Sequence, residues 1–327
     1  MTDINNEYLP YMLGGLLYTP AVNSSIADKI LNDSYECLAS VAFCLEDAIL
    51  ESALEKAEKT LLETLDKIQH KDKLPLLFVR VRNPEHLKKM NEILASYSDI
   101  ITGYILPKFD MNNGADYINV ITKINQNRSK PFYAMPILES SAIADKTTRI
   151  SQLNAIKELL LASSKYILNV RVGGNDFCNL YGLRRSSYQT IYDVGVVRDI
   201  LIDIINIFAK DFVVSGPVWE YFENNSDEQW AIGLKNELEL DRINGFVGKT
   251  AVHPSQLPFI FESLKVTSED YNDAESILSW NHKKYGVEKS DDCSRMNEVN
   301  CHRKWAERIK ILGNIYGIKE KKNDKLL

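Results

Sequence analysis

PLLFVRVRNPEHLKKMNEILASYSDIITGYILPK, residues 75–108, holds one complete unit of the pattern that decides the fold. A near-continuous apolar run (75–81) gives way to Asn83, a side chain suited to cap a helix, and Pro84, suited to its first position. A helical stretch follows over 83–95, and a second apolar run spans 101–108. Runs that are apolar throughout, rather than alternating, suit strands buried on both faces of a parallel sheet. Outward from this unit the rhythm recurs. Further strands are predicted over 13–20, 41–47, 132–139, 166–173, 212–218 and 246–253, with a long helix over 51–69.

Eight alternating units in roughly 260 residues match the size of a (β/α)8 barrel. A doubly wound open sheet shares the periodicity, but unit count and length favour the barrel. No glycine- or serine-rich linker interrupts the pattern, so residues 1–264 read as one barrel domain. Beyond Leu264 the rhythm stops. Polar helical segments over 268–284 and 296–316 are too short and polar to hold a core. They read as a C-terminal helical extension or lid (265–318) over the barrel mouth or a neighbouring subunit. The last residues, KEKKNDKLL (319–327), form a solvated charged tail.

The chain has 327 residues, 45% hydrophobic and 26% charged, ordinary values for a globular protein. It lacks an apolar run of about 18 residues, the length that spans a membrane. The start, MTDINNEYLPYM, has neither the basic residues nor the apolar core of a signal peptide. Five scattered cysteines form no disulfide framework, and a reduced cytoplasmic compartment is expected. A net charge of −6 argues against a nucleic-acid binder, and no membrane partner is expected. Zinc spacing, a phosphate loop, GxGxxG and Gly-x-Ser-x-Gly are all missing.

In a barrel of this kind, function sits at the C-terminal strand ends. The first strand ends in LYTPA, with Asn23 or Ser24 placed to cap a helix. The second ends in CLEDAI, which sets Glu46 and Asp47 at the mouth. The third, LLFVRVRNP, puts Arg80 and Arg82 on one face by alternation. An arginine there either offers a fork of donors to a carboxylate or enolate oxygen, or forms an ion pair with Glu46 or Asp47. The fourth ends at Lys108, the fifth at Glu139, and Asp176 lies just past the sixth. Neighbouring strands run roughly 5 Å apart, so Glu139 and Asp176 should repel unless something joins them. Either a hard divalent ion bridges them, most simply Mg2+, or one acid pairs with Arg80 or Arg171. Gly173 and Gly174 let the backbone approach whatever lies at the mouth. The eighth strand, GKTAVHPSQ, brings Lys249 and His253, the latter a ligand contact or a turn into a capped helix.

Taken in order, these motifs resemble the HpcH/HpaI aldolase and citrate lyase β-subunit family. The resemblance rests on LYTPA, LEDAI, VRV, GYILPK, PILES, GGNDF and GKTAVHPSQ, and covers residues 13–264. A narrower likeness is to predicted C–C-bond lyases of tellurite-resistance and stress-response gene clusters. It is carried by GNDFCNLYGLRRSSYQTIYDVGVVRDILIDIINIF (174–208), FVVSGPVWEYF (212–222) and MNEVNCHRKWA (296–306). The resemblance implies a TIM barrel that binds Mg2+, or Mn2+, through Glu139 and Asp176. It implies that Arg80 holds the substrate's carbonyl or enolate oxygen, with Asp47 near the metal water. Glu46, Lys108, Gly173, Gly174 and His253 complete the expected substrate site. A homo-oligomer, trimer or hexamer, is implied too, with a C-terminal segment lidding a neighbour's site. Cys44 stands where the family often has an acid. Arg82 and residues 182–185 point to a more anionic substrate than a simple acyl-CoA, and no feature identifies a CoA site.

The expected function is therefore a Mg2+-dependent carbon–carbon lyase or aldolase. Its small-molecule substrate would be a 2-oxo or 3-hydroxy acid, free, as a CoA thioester or as another anionic conjugate, reacting through an enolate. Two alternatives stand beside it. One is a metal-free aldolase using Lys108 or Lys249 as a Schiff-base nucleophile. The other is a barrel that binds a metabolite without turning it over, serving a stress-response assembly.

Overall fold

The computed structural model describes residues 7–126, 128–222, 228–280, 285–290 and 293–319. Each apolar run predicted to be a strand contains one: β1 (Gly15–Pro20), β2 (Ser40–Cys44), β3 (Leu76–Arg80), β4 (Ile101–Leu106), β5 (Tyr133–Leu138), β6 (Val170–Val172), β7 (Val214–Ser215) and β8 (Lys249–Ala251). All pair in parallel, in the order β7-β6-β5-β4-β3-β2-β1-β8. Gly216, just past β7, bridges Lys249 in parallel. Val247 N–H donates to the Val214 carbonyl at 2.8 Å, and Gly216 N–H to that of Gly248 at 2.9 Å. These bonds close the ring into a (β/α)8 barrel. The strands are shorter than the apolar runs, so residues 45–47 curve over the mouth rather than extend β2.

The surrounding helices are α1 (Ser25–Leu31), α2 (Leu54–Ile68), α3 (Pro84–Ile93), α4 (Gly114–Asn125), α5 (Ser141–Ala144), α6 (Arg149–Leu161), α7 (Gly174–Leu180), α8 (Gly195–Phe208), α9 (Gln229–Asn244) and α10 (Leu257–Leu264). Helix α3 starts as its sequence dictates. Asn83 accepts a hydrogen bond from His86 N–H at 2.8 Å, and Pro84 occupies the first position. In α2 the buried stripe Ala57, Leu61, Leu65, Ile68 recurs at three- and four-residue steps. Each such large apolar side chain contributes roughly 1.5–3 kcal/mol on burial.

Strand alternation sorts the side chains into two layers. Val41, Phe43, Val79, Val81, Tyr104, Leu106 and Val170 join helix residues such as Leu61, Met90, Ile121 and Ile204 in one core outside the strands. Their neighbours Ala42, Phe78, Arg80, Ile105, Ile137 and Arg171 face inward, and so carry charge into the barrel. No described helix is long and apolar enough to cross a membrane.

Residues 13–260 form one compact unit; residues 7–12 and 261–319 belong to a second. In the second, α11 (Ser268–Leu278) and α12 (Val299–Tyr316) bury Ala274, Ile277, Ala306, Ile309 and Leu312. Two helices expected to lack a core therefore have a small one. Arg295 ties to Asp270 at 2.8 Å and Asp273 at 2.5 Å, and the Tyr316 hydroxyl donates to the Tyr11 carbonyl at 2.6 Å. The helix expected over 296–316 begins at Val299, because Met296–Glu298 pairs antiparallel with Val287–Lys289. The one expected over 268–284 ends at Leu278; 281–284 and the charged tail beyond 319 lie outside the described residues.

At Gly103 the sequence leaves no choice. The β3–β4 register shifts between Leu77 and Phe78, and a Cβ at Gly103 would overlap the Tyr133 carbonyl of β5. Gly103→Ala should force β4 and β5 apart and cost about 3 kcal/mol. That loss lowers the melting temperature by roughly 6–12 °C. Gly195→Ala, where nothing lies within 4 Å, is the control and should melt close to wild type. Equal melting of both variants would show that the close approach costs nothing.

Candidate active site

At the C-terminal end of the barrel a cavity of about 360 Å³ is lined by Tyr18, Asp47, Arg80, Glu139, Arg171 and Asp176, among others. Arg80 ends β3 facing inward and is buried. Its Nη2 lies 2.8 Å from Glu46, 3.2 Å from Asp47 and 3.4 Å from Glu139. Burial would lower the Arg80 pKa, but Tyr18, Glu139 and Glu46 outweigh it and raise the value. The ion pair weighed for Arg80 is thus present, yet its Nε has no hydrogen-bond partner. Nη1 meets only the Cys44 Sγ at 4.0 Å, where a carboxylate would bind it more tightly.

Glu139 follows β5 by one residue and turns inward. It accepts from Lys108 N–H at 2.9 Å. Lys108 holds a left-handed backbone (φ 49°), a conformation costing about 1–2 kcal/mol for a residue with a Cβ. Its ammonium reaches Glu46 at 2.7 Å and Asp47 at 3.0 Å. Those bonds raise its pKa although burial opposes them. Within the acid pair, burial raises the Glu46 pKa although Arg80 opposes it. Asp47 is lowered: burial is outweighed by its bonds to Glu46 and Lys108. Of the two acids, Asp47 is the one whose charged form is favoured, and it is the one that lines the cavity.

Gly173 decides how Glu139 and Asp176 meet. A Cβ there would overlap Glu139 Oε2 and stand 3.1 Å from Asp176 Oδ2, so both carboxylates face one bare Cα. Asp176 sits in the first turn of α7, where the helix dipole favours a negative charge. Burial pushes the Glu139 pKa up to about 8; Asp176 adds to the rise and Arg80 opposes it.

Glu46 and Lys108 join this cluster through Arg80 and Asp47 without lining the cavity. Gly174 packs against Pro217, and His253 caps the turn after β8, its Nδ1 2.8 Å from Ser255 Oγ and its ring stacked on Phe222. Neither lines the cavity. Asn23 accepts from Ser25 N–H at 3.2 Å, the local role weighed for it. Arg82 does not accompany Arg80. It bonds the Leu45 carbonyl at 2.7 Å, the Ile49 carbonyl, and Glu51 at 2.5 Å, clamping the loop that carries Glu46 and Asp47. Arg184 pairs with Glu220 at 2.7 Å, and buried Arg185 lies 3.5 Å from Glu237.

Lys249, expected at the mouth, points the other way. Its Nζ is fully buried between Glu237 (2.8 Å) and Asp241 (2.7 Å) of α9. Alternation then turns Thr250 inward. Thr250, Tyr18 and Arg171 line the cavity without having been singled out as substrate contacts. The inward parity of LYTPA and VRV was the available signal.

Residues 7–318 match the family described as C–C bond lyase of the TIM-barrel fold. A search of curated proteins finds no significant match. Among solved structures, the chain is similar to a citrate lyase from Burkholderia xenovorans LB400 (14% identity, TM-score 0.69, covering 94% of each chain). It is also similar to CitE from Mycobacterium tuberculosis, crystallised with magnesium, acetoacetate and coenzyme A (17%, TM-score 0.61, 94% of this chain and 100% of that one). RipC from Yersinia pestis follows (15%, TM-score 0.54, 79% and 98%). At these identities the likeness is one of fold.

With a pKa near 8, Glu139 keeps in the native state a proton that the unfolded chain loses near the ordinary glutamate value. The native state then binds more protons between those two values, so stability falls as pH rises through that window and levels off above it. Gln cannot ionise, so Glu139→Gln should lack this part of the slope. Melting temperatures of both proteins from pH 5 to 9, without divalent cations, check it. Parallel profiles would mean that Glu139 is ionised throughout.

Proposed function

This chain belongs to the C–C bond lyases of the TIM-barrel fold, and on that premise we propose that it cleaves or forms a carbon–carbon bond of a 2-oxo or 3-hydroxy acid through an enolate, assisted by Mg2+ or Mn2+. The observation that carries this reading is the meeting of Glu139 and Asp176 over Gly173. Among the described residues no group of three or more His, Cys, Asp or Glu could hold a metal. Two carboxylates alone suit a hard ion that keeps waters and accepts substrate oxygens. CitE, similar in fold, was crystallised with magnesium and acetoacetate or pyruvate, which supports the use of a metal ion. When bound, such an ion supplies positive charge to a substrate carboxylate and its neighbouring oxygen.

The chain's own residues do the rest. The free Nε–H of Arg80 aims a donor at the reacting oxygen, whose negative charge grows toward the transition state. In the cleavage direction Asp47 takes the hydroxyl proton, and the electron pair of the breaking bond becomes the enolate. A proton then returns to carbon. A Schiff-base route is disfavoured: Lys249 is sealed between Glu237 and Asp241, and Lys108 is held protonated by Glu46 and Asp47.

Exchange of the pyruvate methyl protons in D2O, followed by NMR, tests enolisation without knowledge of the full substrate. Exchange should require Mg2+ and stop with EDTA. Glu139→Gln should bind Mg2+ at least tenfold more weakly, about 1.4 kcal/mol. Arg80→Lys keeps the charge but loses the fork, so it should fold, bind Mg2+ and exchange roughly 100-fold more slowly, about 2.7 kcal/mol. Unchanged Mg2+ affinity in Glu139→Gln would sink the metal assignment. An Arg80→Lys protein whose rate merely tracks its folded fraction would make Arg80 structural.

We propose in addition a homo-oligomer, trimer or hexamer, in which residues 265–318 lid a neighbouring subunit's barrel and exclude water from it. Light scattering should find the full chain oligomeric; a monomer with full exchange activity would refute the lid.

A further inference from the structure

Arg80 has three carboxylates around it, whereas Arg171 has none. Arg171 is buried in β6 and lines the same cavity. Its Nη2 donates to Thr250 Oγ1 at 2.7 Å and its Nη1 to Asn169 Oδ1 at 3.4 Å, while Nε has no partner. The Tyr18 hydroxyl lies against it, and burial holds its pKa below the usual arginine value. No acidic side chain among the described residues comes within ion-pair distance. Neutral oxygens satisfy donors but leave the charge uncompensated, and a lone buried charge costs several kcal/mol.

Register fixes its depth. Arg171 pairs with Ile137, two residues before Glu139. Ile137 and Glu139 share the inward face, so Arg171 sits one layer below the acids, roughly 6–7 Å along the strand. Tyr18 spans the interval: its hydroxyl meets Arg171, and its ring centroid lies 5.7 Å from the Arg80 Cζ.

We propose that Arg171, with Thr250 and Tyr18, forms an anion subsite at the cavity floor that receives a second, free carboxylate of the substrate. The substrate is then a dicarboxylic oxyacid whose reacting end lies at Arg80, Glu139 and Asp176. A planar carboxylate matches the unspent edge of a guanidinium. An uncharged thioester at that end would leave Arg171 as unpaired as it is now. This inference rests on the lyase reading of the same cavity.

The test compares racemic lactate with racemic malate and 2-hydroxyglutarate, which add only the second carboxylate and its methylenes. Calorimetry with Mg2+ present should show at least one diacid binding wild type tenfold or more tightly than lactate. Arg171→Met should reduce diacid affinity to that of lactate and leave lactate binding unchanged. Because it removes an uncompensated charge, Arg171→Met should also melt no lower than wild type. Equal binding of all three acids by wild type would overturn the subsite and leave the lyase reading intact. So would a diacid preference that survives Arg171→Met, or a variant that melts far lower. Binding of none would overturn both.

Discussion

A guanidinium inside a barrel wall would cost several kcal/mol if left alone, and the mouth of this barrel is arranged around compensating the one at Arg80. Glu46 and Asp47 come from the segment after β2 and Glu139 from the end of β5, all converging on the same Nη2. Three acids on one nitrogen are more negative charge than it can neutralise. Lys108 takes up part of the excess, and protons take up more: the pKa values of Glu46 and Glu139 are both raised. On the proposed reading, a metal ion would take the place of the proton that Glu139 holds. One network therefore serves both the fold and the site.

Two backbone exceptions hold that network in place, and both touch Glu139. Gly173 gives up its Cβ so that the carboxyl can occupy the space. Lys108 takes a left-handed conformation and gives its N–H to the same carboxyl. Strain at a residue that also bonds Glu46 and Asp47 is strain held by a site rather than by a loop.

How much of this was legible in the sequence depended on distance along the chain. The eight strands were readable because a strand buried on both faces is written in consecutive residues. Arg80, Asp47, Glu139 and Asp176 were readable because strand ends and parity are local too, and all four line the cavity. What stayed hidden was the choice of partner. Arg82 shares parity with Arg80, but β3 ends at Arg80, and Arg82 finds its acceptors at residues 45–51. Lys249 shares its strand with Thr250, yet its counter-ions lie on α9, which the sequence marks only as a helix. His253 had two readings, a ligand contact at the mouth or a turn into a capped helix, until Phe222 and Ser255 were seen beside it. The core between α11 and α12 was missed for a similar reason. Each helix is polar taken singly, and the apolar stripe matters only once the two face each other.

The same ambiguity of partners applies to the two cavity arginines, which sequence parity treats alike. In the structure one is neutralised several times over and the other not at all. A cavity with an acid-rich mouth and an unpaired cation one layer deeper has a direction. An acid with a charge at only one end, held at the mouth, leaves the floor unmatched. A molecule charged at both ends spans the two. Its reacting atoms then lie where the free donor and the acid pair already are. Orientation is set by where counter-charge is missing, and that was beyond the reach of local pattern because it is a property of everything packed around one side chain.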